Sequence, residues 1–350
     1  MLAAATFLFA TYSTFGPIGQ DAQAVYVARD GSIVRVAKDN PEQQATLTSP
    51  AQYRIAAIDV DGDDVVYGTS ITSQCPMLNV CPPAYCPDFV CTLTNTEPVH
   101  SLNVVSTQSL ISRTLVSGLR GVTEIGHDGS WIYWLEPSSD FKGITNGDGR
   151  LRRIDKSGLV VETLLVGVKA SYRNQHPFVI ADEAIYLNSG GWLVRVPKSG
   201  GWPEYVRQLS GGPESPLAIE GHFVYAAGSG RSVTVLDASS GEFHVMEAAV
   251  IESGGATGIT SVLAAAPGVV VVQEFSGWTH TRWHAWAVSD LCRQTATLAA
   301  EVTFYYGGFN VPALLAPPFA IDDRRIYMDY GRVYRYPAPR PCARNRAVRR

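Results

Sequence analysis

The sequence predicts an all-β fold, a β-propeller of seven four-stranded blades, and three observations lead to this prediction. Short apolar runs alternate with tight turns along almost the whole chain, and Phe178 to Lys198 contains three such runs joined by an acidic turn and a Gly-Gly turn. A unit of an acidic turn, two apolar residues and an aromatic residue recurs seven times. Each copy has room for four strands, and stacked four-stranded repeats of this length are typical of a propeller.

The inner pair of strands defines the repeat. A three-stranded meander cannot bury both of its faces alone, so each copy needs a neighbour on either side. The seven copies are Asp21 to Tyr26, Asp59 to Tyr67, Asp128 to Tyr133, Asp182 to Tyr186, Glu220 to Tyr225, a degenerate Pro267 to Val272, and Asp322 to Tyr327.

A third and a fourth strand follow the inner pair. The third is clearest at Ile33 to Lys38, Leu151 to Lys156, Leu193 to Lys198 and Val333 to Pro337. The fourth, outer strand is predicted near Gln44 to Thr48, Ile111 to Val116, Val161 to Val166, Glu204 to Leu209, Phe243 to Glu247 and Gln294 to Ala299.

The seventh copy ends before its outer strand. Ala5 to Phe9 resembles the outer strand Glu162 to Val166 and precedes the first copy by a similar interval. We therefore predict that this N-terminal segment closes the ring as the missing strand, which would leave no open sheet edge at the seam. Six or eight blades are the alternatives to seven.

Length and composition favour one domain. The chain has 350 residues, of which 46% are hydrophobic and 17% charged, as expected for a globular protein with a large core. We assign a single propeller domain to residues 1–342, with a cysteine-rich insertion at 70–100, and a basic tail to residues 343–350. The net charge of -4 predicts no general affinity for nucleic acid. We expect a monomer, and no stretch is apolar enough for long enough to span a membrane.

The cysteines indicate an oxidising compartment. The cluster lacks the Cys-x-x-Cys spacing of a zinc knuckle and is rich in proline, which favours disulfides over zinc. We predict two disulfides within the cluster, in one of three connectivities, and a third elsewhere. The cluster is Cys75, Cys81, Cys86 and Cys91, and the third pair is Cys292 with Cys342. The predicted location is extracytoplasmic, in the periplasm, secreted or at the cell surface. No Lys or Arg precedes the apolar run Leu2 to Phe15, so it is not a convincing signal peptide.

A family resemblance supports this fold and compartment. The strand Ile132-Tyr133-Trp134, the aromatic positions Tyr186 and Tyr225, and the segment Val194 to Gly201 resemble the YWTD-type repeats of lipoprotein-receptor propellers and their bacterial extracytoplasmic relatives. The resemblance covers nearly the whole chain. No copy has the full tetrad, and seven repeats are counted where that family usually has six. The resemblance implies fold and compartment, and leaves ligand and chemistry open.

The long insertions are predicted to share one face, the top, where each innermost strand begins. Long ordered loops on a rigid scaffold are where binding usually occurs. Aromatic and polar side chains there could stack on sugars or clamp a peptide, although simple packing also explains them. The candidate binding residues are Tyr172, Arg173, His176, Trp278, His280, Tyr305, Tyr306 and Asn310.

No catalytic residue, metal site or cofactor is predicted. The chain has no Gly-x-Ser-x-Gly elbow, phosphate-binding glycine loop or His-Glu-x-x-His helix. Asp59 to Asp64 begins like a calcium loop, but its twelfth position is Ser70 rather than Glu, so a hairpin turn is favoured. The first function hypothesis is an extracytoplasmic module that binds a protein, peptide or glycan. The alternatives are a lyase or hydrolase acting at the channel mouth, and a structural envelope protein.

Overall fold

The computed structural model describes fifteen segments of the chain, residues 17–29, 31–48, 54–70, 100–138, 147–170, 176–213, 215–227, 232–247, 257–266, 269–276, 280–287, 296–300, 319–321, 325–329 and 333–337. These residues contain 27 β-strands and no helix. The strands form seven antiparallel sheets, six of four strands and one of three.

The first four sheets lie between residues 18 and 208. Sheet 1 contains β1 (Ile18–Gln20), β2 (Ala24–Arg29), β3 (Ser32–Ala37) and β4 (Gln44–Thr46). Sheet 2 contains β5 (Arg54–Asp61), β6 (Asp64–Ser70), β7 (His100–Ser106) and β8 (Ser112–Leu119). Sheet 3 contains β9 (Glu124–His127), β10 (Trp131–Glu136), β11 (Gly149–Asp155) and β12 (Val161–Val168). Sheet 4 contains β13 (Phe178–Ile180), β14 (Ala184–Ser189), β15 (Trp192–Pro197) and β16 (Glu204–Gln208).

The remaining three sheets follow the same plan. Sheet 5 contains β17 (Leu217–Glu220), β18 (Phe223–Ala227), β19 (Ser232–Asp237) and β20 (Phe243–Glu247). Sheet 6 contains β21 (Thr257–Ala266), β22 (Val269–Ser276), β23 (His280–Ala287) and β24 (Ala296–Ala300). Sheet 7 contains β25 (Phe319–Ile321), β26 (Arg325–Asp329) and β27 (Val333–Pro337).

The sheets are arranged radially. Within each sheet the strands pair in chain order, so the first strand lies at one margin and the last at the other. The first strands contact one another in cyclic order, β1 with β5, β5 with β9, β9 with β13, β13 with β17, β17 with β21, β21 with β25, and β25 with β1. They therefore form the inner wall, and the sheets extend outward from it as the blades of a propeller do.

The core lies between neighbouring sheets. Every residue of β14 is buried because both faces of the strand are covered. Between sheets 3 and 4, for example, Tyr133 and Leu151 pack with Phe178 and Ile185. The sheets approach closely at Gly68, where a Cβ atom would lie 2.4 Å from Val122, so no larger residue fits without a shift.

The recurring acid and tyrosine form a hydrogen-bonded latch in sheets 1 and 3. Asp21 Oδ2 accepts a 2.6 Å hydrogen bond from the Tyr26 hydroxyl, and Asp128 Oδ2 accepts one of 2.7 Å from Tyr133. In each case Oδ1 of the same carboxylate accepts two backbone N–H groups of the turn. The acid thus caps the first hairpin and anchors the second strand, which explains why the two residue types recur five positions apart. We call this pair the acid–tyrosine latch.

The predicted strands agree with the observed ones. The outer strand expected at Val161 to Val166, for instance, is β12, Val161–Val168. The turn expected at Asp61 to Asp64 is a hairpin in which these two residues pair across Gly62, whose φ is +60°. The closing strand predicted at Ala5 to Phe9 lies outside the described residues.

Candidate functional site

The ring has two edges that differ in their connections. At the upper edge, where each first strand begins, the chain runs through 71–99, 137–148, 169–177 and 301–318 between consecutive strands. At the lower edge the first and second strands of sheets 2 to 5 are joined by 62–63, 128–130, 181–183 and 221–222. The predicted concentration of long connections at one face is therefore present in the strand order.

Few of the predicted site residues can be placed. His176 lies at the upper edge, immediately before β13, and its side chain is described. His280 is the first residue of β23, where the backbone is described. The other candidates lie outside the described residues: Tyr172, Arg173, Trp278, Tyr305, Tyr306 and Asn310, and the six cysteines Cys75, Cys81, Cys86, Cys91, Cys292 and Cys342.

His176 connects three adjacent sheets. Its backbone N–H donates to Glu124 Oε2 at 3.0 Å, and its ring Nδ1 lies 3.3 Å from Glu124 Oε1 on sheet 3. Its carbonyl oxygen accepts a 2.8 Å bond from the N–H of Leu217, the first residue of sheet 5. The φ of His176 is +51°, a left-handed conformation that a residue with a side chain adopts only when its surroundings hold it there.

The environment of the His176 side chain raises its pKa. Burial lowers the pKa of His176, but the carboxylates of Glu124 and Asp59 outweigh this effect and hold the pKa above its ordinary value. Glu124 is 13% exposed and the His176 ring 36% exposed. The ring can therefore offer a hydrogen bond, and a positive charge when protonated, to a molecule at the upper mouth of the ring.

A second histidine–carboxylate group lies at the other end of β9. His127 Nδ1 is 2.5 Å from Asp59 Oδ2, and its Nε2 is 3.6 Å from Asp61 Oδ1. Lys156 also pairs with Asp61. The hydrogen bond to Asp59 raises the pKa of His127 above its ordinary value, against the opposing effects of burial and of Lys156. This group joins sheets 2 and 3 at the lower edge.

A polar cleft of about 530 Å³ opens at the lower edge between sheets 3 and 4. Lys198 Nζ lies 2.9 Å from Asp128 Oδ2, and Arg153 Nη1 donates to the Lys198 carbonyl oxygen at 2.6 Å. The Arg153 guanidinium also stacks 4.0 Å from the Trp131 ring centre. These groups satisfy one another, so their first role is to hold the two sheets together.

The latch residues have strongly perturbed acidities. Burial raises the pKa of Asp128, but hydrogen bonds from Ser130, Lys198 and Tyr133 outweigh it and hold the pKa well below its ordinary value. Burial and the hydrogen bond to Asp21 raise the pKa of Tyr26 to about 12. At pH 7 Asp128 is therefore ionised and Tyr26 is neutral, and neither acts as an acid or a base near that pH.

The candidate site includes residues that the sequence did not single out. Glu124 was not predicted as the partner of His176, because the two are 52 positions apart. The available signal was its place four residues before the acidic turn at Asp128, because an innermost strand precedes that turn and begins at the upper edge. Across the segments that the structure describes, no group of three or more His, Cys, Asp or Glu side chains has the geometry of a metal site.

The comparisons with known proteins concern the fold. No protein-family model matches the chain, and no curated protein matches it. A chain of the mitotic checkpoint complex is similar over 92% of this chain and 86% of its own, with a TM-score of 0.61 and 10% identity. U3-55K is similar over 94% of this chain and 97% of its own, with a TM-score of 0.56 and 13% identity.

A third similar structure is the extracellular domain of a putative hybrid two-component system from B. thetaiotaomicron. It has a TM-score of 0.55 and 12% identity, and it covers 95% of this chain, which in turn spans 39% of that chain. At these identities the similarities show the fold alone, and that fold is a β-propeller built from repeats. Among the described residues there is also no helix that could cross a bilayer.

Proposed function

We propose that this protein is an extracytoplasmic binding module that holds a protein, peptide or glycan with its upper-edge connections. The scaffold in this proposal is one domain, residues 1–342, folded as a seven-bladed propeller of YWTD-like repeats. The N-terminal segment Ala5 to Phe9 supplies the outer strand of the last blade. The contacts between consecutive first strands, including β25 with β1, support a closed ring of sheets. So does a 3.0 Å bond from Arg325 Nη1 on sheet 7 to the Lys38 carbonyl oxygen on sheet 1.

One observation carries the proposal, the difference between the two edges. The first hairpins of sheets 2 to 5 are closed by two or three residues at the lower edge, whereas the connection 71–99 and the connection 301–318 both join strand ends at the upper edge. Propeller stability does not require such insertions, because the sheets already pack face to face without them. Insertions of this size on a rigid scaffold are the usual carriers of binding.

The His176–Glu124 pair gives the upper edge a described polar contact. A partly exposed ring with raised pKa suits a ligand that presents a hydrogen-bond acceptor, such as a peptide carboxylate or a sugar hydroxyl. The candidate aromatic residues Tyr172, Trp278, Tyr305 and Tyr306 would supply stacking surface around it, as proposed from the sequence.

A glycan and peptide array tests the binding function. Wild-type protein should bind a subset of array members, and replacing residues 72–98 by a Gly-Gly turn like Gly190-Gly191 should abolish or redirect that binding. His176→Gln should weaken it, because the charged contact is removed while the size of the side chain is nearly kept. His222→Gln, the same substitution in the lower-edge turn of sheet 5, is the matched control and should leave the array profile unchanged. An unchanged profile for the loop replacement would refute a role for the upper-edge insertion.

The disulfides test the compartment. Mass spectrometry without reduction should find no free thiol, with Cys292 joined to Cys342 and two bonds among Cys75, Cys81, Cys86 and Cys91. Six free thiols, or one bound zinc per chain, would contradict the extracytoplasmic assignment.

An enzyme, of the lyase or hydrolase class, is the second candidate, and one observation favours it. The His176 ring beside Glu124 has the arrangement of a general base and the acid that orients it. If the protein turns over an array ligand, His176→Gln should abolish product formation, detected by mass spectrometry, even at ligand concentrations that saturate the variant. Product formed by His176→Gln at the wild-type rate would exclude this residue from the chemistry.

A further inference from the structure

A second surface lies at the lower edge, away from the upper-edge connections. Three neighbouring sheets expose large apolar side chains in the turn between their third and fourth strands. The exposed fractions are 53% for Leu110 and 70% for Ile111 in sheet 2, 84% for Leu159 and 47% for Val160 in sheet 3, and 93% for Trp202 in sheet 4. We call these five residues the apolar arc.

The arc residues of sheets 2 and 3 occupy the last two positions of turns of equal length. In sheets 2, 3 and 5 the turn has the same length, 107–111, 156–160 and 238–242. The same backbone bond closes it, from Ser106 N to Ile111 O, from Asp155 N to Val160 O, and from Asp237 N to Glu242 O, at 2.9 to 3.1 Å. The last two turn residues are Leu-Ile and Leu-Val in sheets 2 and 3. In sheet 5 they are Gly241 and Glu242, so the turn itself does not require apolar residues.

Leu110 is also held in an unfavourable backbone conformation. Its φ is +58°, in the left-handed region that favours glycine, and Gly241 occupies the equivalent position in sheet 5 with a φ of +77°. A leucine at this position costs folding free energy and leaves about half of its surface exposed. A binding role would account for it.

The three turns lie on consecutive sheets that contact one another near the lower edge. A Cβ atom on Gly158, in the sheet 3 turn, would lie 3.5 Å from Arg113 Nη1 on the outer strand of sheet 2. On the other side, Arg153 of sheet 3 binds the carbonyl oxygen of Lys198, the first residue of the sheet 4 turn. Large contiguous apolar patches on a protein surface usually mark interaction sites.

The charges around the arc indicate what kind of partner fits. Lys156, Arg153 and Lys198 are each paired with a carboxylate. Asp63 accepts a hydrogen bond from Gln108 in the sheet 2 turn, and Asp182 lines the cleft beside Lys198. Asp63, Asp182 and Glu183 form no ion pair within the described segments. Arg113, which has no ion pair with another described residue, adds one positive charge, so these surroundings of the arc are acidic on balance.

We infer that the apolar arc docks a partner protein through an amphipathic segment whose apolar stripe is flanked by Lys or Arg. The stripe covers Leu110, Ile111, Leu159, Val160 and Trp202, and a basic side chain enters the cleft next to Asp182. Unpaired carboxylates would repel an anionic lipid surface, which favours a protein partner over a membrane. This surface is separate from the proposed upper-edge site, and its test does not depend on that site.

The test uses a designed Leu/Lys amphipathic peptide and its Leu/Glu counterpart, both fluorescently labelled, with binding followed by anisotropy. The full chain should bind the Leu/Lys peptide roughly tenfold or more tightly than the Leu/Glu peptide. A turn variant carries Leu110→Gly, Ile111→Gln, Leu159→Gln, Val160→Gln and Trp202→Gln, which keeps the net charge. It should lose roughly tenfold or more in affinity. Val245→Gln, which removes a 55% exposed side chain from the outer strand of sheet 5, is the matched control and should bind like wild type.

A charge variant carries Asp182→Asn and Glu183→Gln. It should reduce the ratio between the affinities for the Leu/Lys and Leu/Glu peptides. The turn variant should melt no lower than wild type, since Leu110→Gly relieves an unfavourable φ, so lost binding would not reflect lost folding. Equal binding of the two peptides, or full binding by the turn variant, would overturn the proposal. Concentration-dependent dimerisation that the turn variant abolishes would identify a second copy as the occupant instead. Co-sedimentation with phosphatidylcholine–phosphatidylglycerol vesicles that the variant abolishes would identify a membrane.

Discussion

Sheets 3 and 4 share one backbone plan but hold their second strands differently. The first turn closes in the same way in both, with Asp128 N bonded to Trp131 O at 3.0 Å and Ala181 N bonded to Ala184 O at 2.9 Å. Asp128 therefore corresponds to Ala181 and not to Asp182. Sheet 3 has the acid–tyrosine latch, whereas sheet 4 has a methyl group where the carboxylate would be.

This comparison separates the packing role of the tyrosine ring from the hydrogen-bonding role of the acid. Tyr133 and Tyr186 are both buried by neighbouring sheets, so the ring is required for packing in each case. The hydroxyl has a carboxylate partner in sheet 3 but no hydrogen-bond partner among the described residues of sheet 4. The aromatic residue is thus the common requirement, and the acid adds stability only where it occupies the latch position.

The largest expected effect is the loss of the carboxylate in sheet 3. Asp128→Ala removes the acceptor for Tyr133, the ion pair with Lys198 and the cap of the turn, and should lower the free energy of unfolding by about 2 to 3 kcal/mol. Urea unfolding monitored by tryptophan fluorescence measures it. Asp182→Ala, one position out of register in sheet 4, is the matched control and should change stability by less than about 0.5 kcal/mol. Similar losses for both variants would remove the distinction between the two sheets.

Removing the hydroxyl alone should have a smaller effect. Tyr133→Phe keeps the ring but leaves Asp128 without one of its donors, so a loss of about 1 kcal/mol is expected. Tyr186→Phe should be close to neutral. Urea midpoints compared at constant slope give the change in the free energy of unfolding for both variants. A larger loss of stability for Tyr186→Phe than for Tyr133→Phe would argue against the latch.

The latch should also be transferable. Ala181→Asp places a carboxylate at the position that Asp21 and Asp128 hold in their turns, within reach of the Tyr186 hydroxyl. A gain of about 0.5 to 1 kcal/mol is expected. Asp182→Ala in the same background controls for added charge. An Ala181→Asp variant less stable than wild type would show that the sheet 4 turn cannot accept the acid.

The smallest expected effect is a dependence of stability on pH near neutrality. The pKa values of His127 and His176 are raised in the folded protein by Asp59 and Glu124, respectively. Their ion pairs therefore stabilise the fold fully below the unfolded histidine pKa of about 6.5, and the stabilisation is lost as pH rises through the folded pKa values. The melting temperature should fall as pH increases above that point. In a double variant, His127→Gln with His176→Gln, the melting temperature should depend less on pH. An equally steep profile in the variant would assign the effect to other groups.

The sequence predicted strands far better than contacts. The period-two alternation and the tight turns are local signals, so the outer strand at Val161–Val168 and the hairpin at Asp61 and Asp64 could be located from the chain itself. The position of the acid within each turn could not be located in this way, because Asp182 lies only one residue after the position that is equivalent to Asp128. Only the backbone bond of the turn shows that Ala181 occupies the latch position.

The position of His176 at the upper edge was predictable, but its contacts were not. His176 followed from its loop position, since long upper connections are visible as gaps between repeats. Glu124 and the cross-sheet bond from Arg153 to Lys198 join residues on different repeats, and no local pattern reveals such contacts. The exposure of Leu159 and Trp202 also depends on packing, since the same residues would be buried if a neighbouring sheet covered them.

The most direct test of the latch is a double-mutant cycle carried out in both sheets. In sheet 3, Asp128→Ala and Tyr133→Phe should be coupled by about 1 to 2 kcal/mol, because each removes the same hydrogen bond. In sheet 4, Asp182→Ala and Tyr186→Phe should be additive, and coupling to Tyr186→Phe should appear once Ala181→Asp is introduced. Additive effects in sheet 3, or equal coupling in both sheets, would contradict the assignment of the repeated acid and tyrosine as a latch.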